Sequence, residues 1–159
     1  MSVRLALAVQ YGVAMAELPR WRLRRWIQHA IDAVAPDLDP AMQCMALTLR
    51  LVDAREGRRL NREFRERDYA TNVLTFEYGL GPDGTLSGDI VLCIPVLRRE
   101  AREQKKTLLH HAAHLTIHGV LHALGHDHID PDEAREMEAL ETRILRKMGI
   151  SNPYEPQNS

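Results

Sequence analysis

Several sequence features that often indicate how a protein folds or functions are scarce here. Cysteine occurs only twice in 159 residues, and both Cys44 and Cys93 stand in apolar, strand-like surroundings. We expect two small buried hydrophobes in a reducing, cytoplasmic setting, with a single structural disulfide as the weaker alternative. A chain of this length buries about 70% of its unfolded surface. Its size therefore calls for neither a disulfide nor a metal to hold the fold together.

Long apolar runs are also lacking. No segment approaches the ~20 apolar residues of a transmembrane helix, and we expect a soluble protein with no membrane partner. The apolar N-terminal stretch from Leu5 to Val9 is interrupted by Gln10, and its alternation has the period of a strand. A cleaved secretory signal is therefore not expected.

An excess of charge is absent overall but present locally. The formal net charge is −1, so bulk charge does not mark a nucleic-acid binder. Between residues 50 and 67, however, seven arginines accompany only four acidic residues. Because arginine binds phosphate bidentately, this stretch can form a phosphate-facing surface. An ordinary solvated helix with internal ion pairs is the simpler interpretation from charge alone.

Histidine is concentrated in one segment. Seven of the eight histidines lie between His110 and His128. His118 and His122 are four residues apart, so on a helix they lie on one face and can hold one metal ion together. Gly125 can end that helix, which lets His128 approach from another direction as a third ligand. Three protein ligands leave one tetrahedral position for water, as in a catalytic zinc site.

The periodicity of the chain predicts one α+β domain over residues 1–159, with no internal repeat or low-complexity linker. The expected architecture is a small mixed four-stranded sheet packed with about five helices, and the zinc site on a central helix. Asp53 and Asp130 are predicted helix caps, and residues 72–94 a hairpin. The predicted strands are 3–11, 45–52, 72–78 and 89–94, and the predicted helices are 19–34, 54–66, 95–106, 107–124 and 131–148.

The open metal site favours hydrolysis. A zinc-bound water has its pKa lowered to ~7 and supplies a nucleophile at neutral pH. The spacing His-x3-His-x5-His is also that of metzincin proteases, but the position of their general-base glutamate is Gly119 here. Without that carboxylate, peptide hydrolysis loses its mechanism. Phosphodiester cleavage stays feasible, because a metal and an arginine can stabilise charge on phosphate oxygens.

The same segments resemble a known family. The histidine segment His118–His128 resembles the signature of the bacterial YbeY proteins, metal-dependent endoribonucleases of ribosomal RNA maturation. Arg65–Asp68, Thr71–Phe76 and Gly88–Ile90 are further matches, and Asp132–Thr142 looks like the C-terminal helix of the family. The likeness runs from about residue 45 to residue 154, with a diverged N-terminal third.

The resemblance implies one zinc ion per chain on His118, His122 and His128, and a functional Arg65. It also implies single-stranded ribosomal RNA as substrate, near the 3′ end of the small-subunit RNA, together with ribosome quality control. The small ribosomal subunit and its assembly factors would then be the partners. His126 stands where the family often has tyrosine, and we assign it no role.

Two hypotheses of function remain open. The first is a zinc-dependent endoribonuclease, and the second is a ribosome-assembly factor that binds RNA or a partner, with a mainly structural zinc. His111 and His114 share the helix face of the metal ligands, and they either line the cleft and contact RNA, donate hydrogen bonds from behind the metal ligands, or are semi-buried helix residues. Asp127 either orients an imidazole or simply forms the turn. Three imidazoles would equally suit copper, iron or nickel.

Overall fold

The computed structural model describes residues 3–125 and 130–154. The elements follow the order β-α-β-α-β-β-α-α-α, as the sequence predicts. The strands are β1 (Arg4–Tyr11), β2 (Cys44–Val52), β3 (Val73–Leu80) and β4 (Thr85–Cys93), and the helices are α1 (Arg20–Val34), α2 (Ala54–Arg65), α3 (Ile94–Glu103), α4 (Leu108–Ala123) and α5 (Pro131–Lys147), with a short 3-10 turn at Ala35–Asp37.

The four strands form one mixed sheet in the order β1-β2-β4-β3. β1, β2 and β4 run parallel, whereas β3 pairs antiparallel with β4 as the predicted hairpin. The expected α+β class is therefore confirmed. β4 begins at Thr85 rather than at the predicted residue 89, because the chain leaves the turn at Gly84 (φ 81°) directly into pairing with Cys44 of β2.

The core lies between one face of the sheet and the helices. Alternate residues of the central strand β2 point into it, and its largest fully buried side chains include Met45, Leu47 and Leu49. Leu23 and Ile27, four residues apart on one face of α1, are buried in the same hydrophobic cluster. Burial of each such side chain stabilises the fold by roughly 1.5–3 kcal/mol, so the sheet and α1 form a rigid support for the remaining helices.

α4 is the central helix of the domain. Eleven of its 16 residues are buried, and it packs against α1, α3, α5, β3 and β4. Thr107 caps its start by accepting a hydrogen bond from the backbone N–H of His110. Its end coincides with Gly125, whose φ of 96° is the left-handed conformation that glycine favours. The predicted stop is therefore confirmed.

Two glycines let α4 approach the sheet closely. A Cβ atom at Gly119 would lie 3.0 Å from the side chain of Ile90 on β4. One at Gly88 would lie 3.2 Å from the carbonyl oxygen of Phe76 and 3.4 Å from the Cβ of Ala123. The C-terminal end of α4 consequently lies directly against the β3–β4 hairpin, which fixes where its last histidines stand.

Both cysteines are buried free thiols, as expected from their apolar surroundings. Burial raises the pKa of the Cys93 thiol, which keeps it protonated and unreactive. Among the described residues, no helix is long and apolar enough to cross a membrane.

Candidate functional site

The structure brings two of the three predicted metal ligands together. His118 and His122 lie one turn apart near the end of α4, with their ring centroids 5.5 Å apart. Their side chains are 22% and 28% exposed, on a helix that is otherwise mostly buried. The third predicted ligand, His128, lies outside the described residues, as do His126 and Asp127.

Each of these imidazoles contacts a carboxylate through Nδ1. His118 Nδ1 lies 2.7 Å from Oε1 of Glu141 on α5, and His122 Nδ1 lies 3.4 Å from Oε1 of Glu77 on β3. When Nδ1 donates its proton to a carboxylate, the neutral ring carries its lone pair on Nε2. This tautomer and orientation are those of metal-binding histidines. The donor pair therefore fits zinc.

The described residues supply only part of a metal site. Within 3–125 and 130–154, no group of three or more His, Cys, Asp or Glu side chains converges on one metal position. A tetrahedral zinc site with three protein ligands needs one more donor than His118 and His122 provide. That zinc binds here, with His128 as the third ligand, stays a prediction.

Glu141 is a buried carboxylate at the centre of a polar cluster. It is 0% exposed and contacts His118, His114 and the hydroxyl of Tyr154. Burial alone would raise its pKa, but hydrogen bonds from His114 and His118 outweigh burial and lower the pKa to about 2. Glu141 is therefore ionised at neutral pH and places a negative charge beside His118.

Arg65 lies beside the same part of the sheet as His122. It is the last residue of α2, and its guanidinium donates a 2.7 Å hydrogen bond to the carbonyl oxygen of Thr75 on β3. The guanidinium carbon also stands 5.3 Å from the ring centroid of Phe76. Thr75 and Glu77 are two residues apart, or roughly 7 Å along a strand. β3 thus contacts Arg65 through Thr75 and His122 through Glu77, two residues further along the strand.

A β-bulge follows immediately. The β3–β4 register shifts between Glu77 and Gly79, so Tyr78 is an extra residue on β3. Its hydroxyl donates a 2.6 Å hydrogen bond to Asp89, which fixes the bulged segment to β4. Bulges bend a strand and often stand next to active sites. Here the bend begins directly after the carboxylate that contacts His122.

His111 and His114 are buried helix residues, only 2% and 9% exposed. Their burial agrees with the interpretation as semi-buried helix residues, and the 3.4 Å contact of His114 Nε2 with Glu141, the partner of His118, also fits hydrogen bonding from behind the metal ligands. His111 Nε2 lies 2.9 Å from Glu100 on α3, and burial lowers the pKa of its imidazole. His114 Nε2 lies 3.1 Å from the Tyr154 hydroxyl.

Part of the arginine-rich stretch forms ordinary ion pairs. Arg50 pairs with Glu56, and Arg58 pairs with Asp68. These contacts agree with the simpler interpretation of the local charge. Arg65 differs from them, since the contacts just described join it to a backbone carbonyl and an aromatic ring.

Glu77, Glu141 and Tyr154 were not identified from the sequence as site residues. Glu77 directly follows the Thr71–Phe76 motif, and Glu141 lies inside the matched C-terminal helix. The available signal was therefore their position next to matched segments. Their contacts with α4 join residues 23 to 45 positions apart, which periodicity does not reveal.

The fold and this histidine–carboxylate arrangement define a class: an α+β domain with a histidine pair on a central helix against a mixed sheet. A protein of Thermotoga maritima with a known solution structure shares the fold, with a TM-score of 0.57 at 20% identity over 94% of this chain and 99% of that one.

The family model of Endoribonuclease YbeY matches residues 12–149. Proteins named Endoribonuclease YbeY are 68% identical in Bordetella pertussis, over 97% of this chain and 98% of the relative, and 49% identical in Cupriavidus metallidurans, over 96% and 74%. The chain belongs to the Endoribonuclease YbeY family. The match begins well inside the N-terminal third, so the likeness reaches further than the motifs alone indicated.

Proposed function

We propose that this endoribonuclease cuts single-stranded ribosomal RNA with the help of a zinc ion held by His118, His122 and His128. The observation that carries the proposal is the histidine pair on α4, with each Nδ1 on a carboxylate, beside the strand that anchors Arg65. When bound, zinc would supply Lewis-acid activation of water and of a phosphate oxygen.

The residues of the chain supply the rest of the chemistry. Arg65 is placed to bind a phosphate oxygen and stabilise charge that develops during cleavage. Its bond to Thr75 and its contact with the Phe76 ring hold the guanidinium next to β3. Glu77 is half exposed and Glu141 is buried, and each contacts one of the two imidazoles at Nδ1.

The site also argues against a protease. Gly119, at the position of the metzincin glutamate, is buried against Ile90 on the sheet side of α4. A glutamate side chain at that position would begin against Ile90 and disrupt the close contact between α4 and the sheet. It would not extend toward the metal site. The missing protease base is therefore a property of the fold as well as of the sequence.

The proposed setting is the maturation of the 3′ end of the small-subunit ribosomal RNA in the cytoplasm, within ribosome quality control. Partners would be the small ribosomal subunit and its assembly factors. Family membership and the metal-compatible histidine pair near Arg65 support this setting. The alternative, a ribosome-assembly factor with a mainly structural zinc, predicts RNA binding without cleavage.

Purified protein incubated with precursor ribosomal RNA separates these functions. We expect the wild type to cleave, and His122→Ala and Arg65→Ala to lose activity by about 100-fold or more. Arg58→Ala is the matched control, because Arg58 lies on the same helix but pairs with Asp68, and it should cleave like the wild type. Equal cleavage by all four proteins would identify a contaminating nuclease and overturn the proposal.

A further inference from the structure

A second layer of contacts stands behind His118. Its Nδ1 lies 2.7 Å from Glu141, whose carboxylate is completely buried. The corresponding contact of His122 is longer, at 3.4 Å, and its partner Glu77 has a side chain that is 51% exposed. Water screens an exposed carboxylate far more than a buried one. Of these two contacts, the one between His118 and Glu141 is the shorter and the less screened.

Glu141 is itself held in place by the C-terminal segment. The hydroxyl of Tyr154 donates to Oε2 of Glu141 at 2.6 Å and lies 3.1 Å from His114 Nε2. Burial and the neighbouring Glu141 raise the pKa of Tyr154, so this hydroxyl stays a proton donor. A carboxylate with both oxygens engaged has little freedom to rotate away from His118.

The segment that carries Tyr154 is anchored on both sides. Lys106 donates a 2.8 Å hydrogen bond to the carbonyl oxygen of Pro153, and Asn152 Oδ1 accepts from the backbone N–H of Tyr154 at 2.8 Å. The hydroxyl of Thr142 on α5 contacts the same Asn152 side chain. The C-terminal segment thus connects the start of α4, the middle of α5 and the buried carboxylate.

We propose that Glu141, fixed by Tyr154, is a positioning residue that orients His118 for metal binding. The inference rests on the proposed function, because it takes His118 as a zinc ligand. A carboxylate on Nδ1 sets the tautomer and the ring orientation and raises the basicity of Nε2. A buried carboxylate at 2.7 Å does so most effectively, since no water competes for the imidazole.

The chain contains a natural control for this arrangement. His111 also lies on α4, and its Nε2 lies 2.9 Å from Glu100 on α3 in a similar histidine–carboxylate pair. His111 lies seven residues before His118 and is not among the predicted ligands. Substitution of Glu100 therefore disturbs a comparable polar pair that also involves α4. It removes no partner of the contact between His118 and Glu141.

Zinc affinity measured by competition with a chromophoric chelator tests the proposal. Loss of an orienting partner typically weakens metal binding 10- to 100-fold, and we expect Glu141→Ala to fall in that range. Glu141→Gln keeps the shape and an acceptor for His118 but loses the charge, so we expect a loss of about 10-fold. Tyr154→Phe should weaken zinc binding several-fold, while Glu100→Gln should leave it within about twofold of the wild type.

The visible spectrum of the cobalt-substituted protein gives a second measurement, because its bands report the coordination geometry. We expect the bands to change in Glu141→Gln and Tyr154→Phe but not in Glu100→Gln. If Glu141→Ala does not fold, Glu141→Gln and Tyr154→Phe still test whether Glu141 orients His118 for metal binding.

The role of Glu141 and the metal site itself can be overturned separately. Wild-type zinc affinity and an unchanged cobalt spectrum in Glu141→Gln and Tyr154→Phe, with zinc binding lost in His118→Ala, would overturn the role of Glu141 and leave the proposed function intact. Wild-type zinc affinity in His118→Ala would instead overturn the metal site itself, and the proposed function with it.

Discussion

At the scale of single residues, the site depends on side chains whose orientation is fixed by a neighbour. The carboxylates of Glu77 and Glu141 contact the two imidazoles, and the carbonyl of Thr75 accepts from the Arg65 guanidinium. Holding reactive groups in place before the substrate arrives lowers the entropic cost of reaching the transition state.

The geometry of Arg65, rather than its charge alone, should matter. A guanidinium can bond the Thr75 carbonyl and still present a planar fork to phosphate, whereas a lysine ammonium is a point charge. We expect Arg65→Lys to cleave precursor RNA at least about 10-fold more slowly than the wild type, with Arg62→Lys as the control on the same helix. Full activity of Arg65→Lys would contradict a bidentate role.

His111 should make the stability of the protein depend on pH. Burial lowers the pKa of its imidazole, against the opposing effect of Glu100, and His114 and Lys106 lower it further. Between the lowered pKa and the ordinary value of about 6.5, the unfolded chain binds more protons than the folded one. The free energy of unfolding therefore falls as pH drops below about 6.5.

Urea unfolding of the metal-free protein at several pH values checks this effect. His111→Gln removes the titration, so the stability advantage of the wild type over the variant should be largest above about pH 7 and shrink toward about pH 5. An advantage that does not change over this range would show that His111 titrates alike in both states.

At the scale of secondary-structure elements, the glycines that follow the helices connect a sequence signal with the geometry of the site. α4 ends at Ala123 and α5 at Lys147, and each helix is followed two residues later by a glycine with positive φ: Gly125 (96°) and Gly149 (79°). An L-residue in such a conformation costs about 1–2 kcal/mol. The predicted ligand His128 follows the first of these glycines in the sequence, and the segment that carries Tyr154 follows the second.

Alanine at the two glycines should therefore separate folding from metal binding. We expect Gly125→Ala and Gly149→Ala each to lower the free energy of unfolding by about 1–2 kcal/mol. Gly125→Ala should weaken zinc binding more than Gly149→Ala does, because the predicted third ligand follows Gly125, whereas Gly149 precedes the segment that carries Tyr154. Calorimetry for stability and chelator competition for zinc make the comparison, and equal zinc affinity in the two variants would argue against His128 as a ligand.

The elements themselves were predictable because their signals are local. Periodicity located the strands and helices, and the caps at Asp53 and Asp130 are formed as predicted. The contacts of Glu77, Glu141 and Tyr154 with α4 were not predictable, because they depend on how β3, α5 and the C-terminal segment pack around that helix. The early start of β4 at Thr85 likewise depends on pairing with β2.

At the scale of the whole molecule, the site is assembled from parts that are distant in sequence. α2 supplies Arg65, the β3–β4 hairpin supplies Glu77, α4 supplies the histidine pair, and α5 supplies Glu141. The close packing of α4 on the sheet at Gly88 and Gly119 brings these parts together. The fold of an Endoribonuclease YbeY family member thus brings Arg65 of α2 and His122 of α4 against residues that are two positions apart on β3, Thr75 and Glu77.

The central claim is that RNA cleavage requires zinc at this histidine pair. The most direct test is to strip the protein of metal and measure cleavage of precursor ribosomal RNA while zinc is added back stepwise. The account predicts that cleavage rises with zinc up to one ion per chain, and that His122→Ala gains nothing at the same concentrations. Cleavage by the metal-free wild type at the full rate, with no response to zinc, would contradict it.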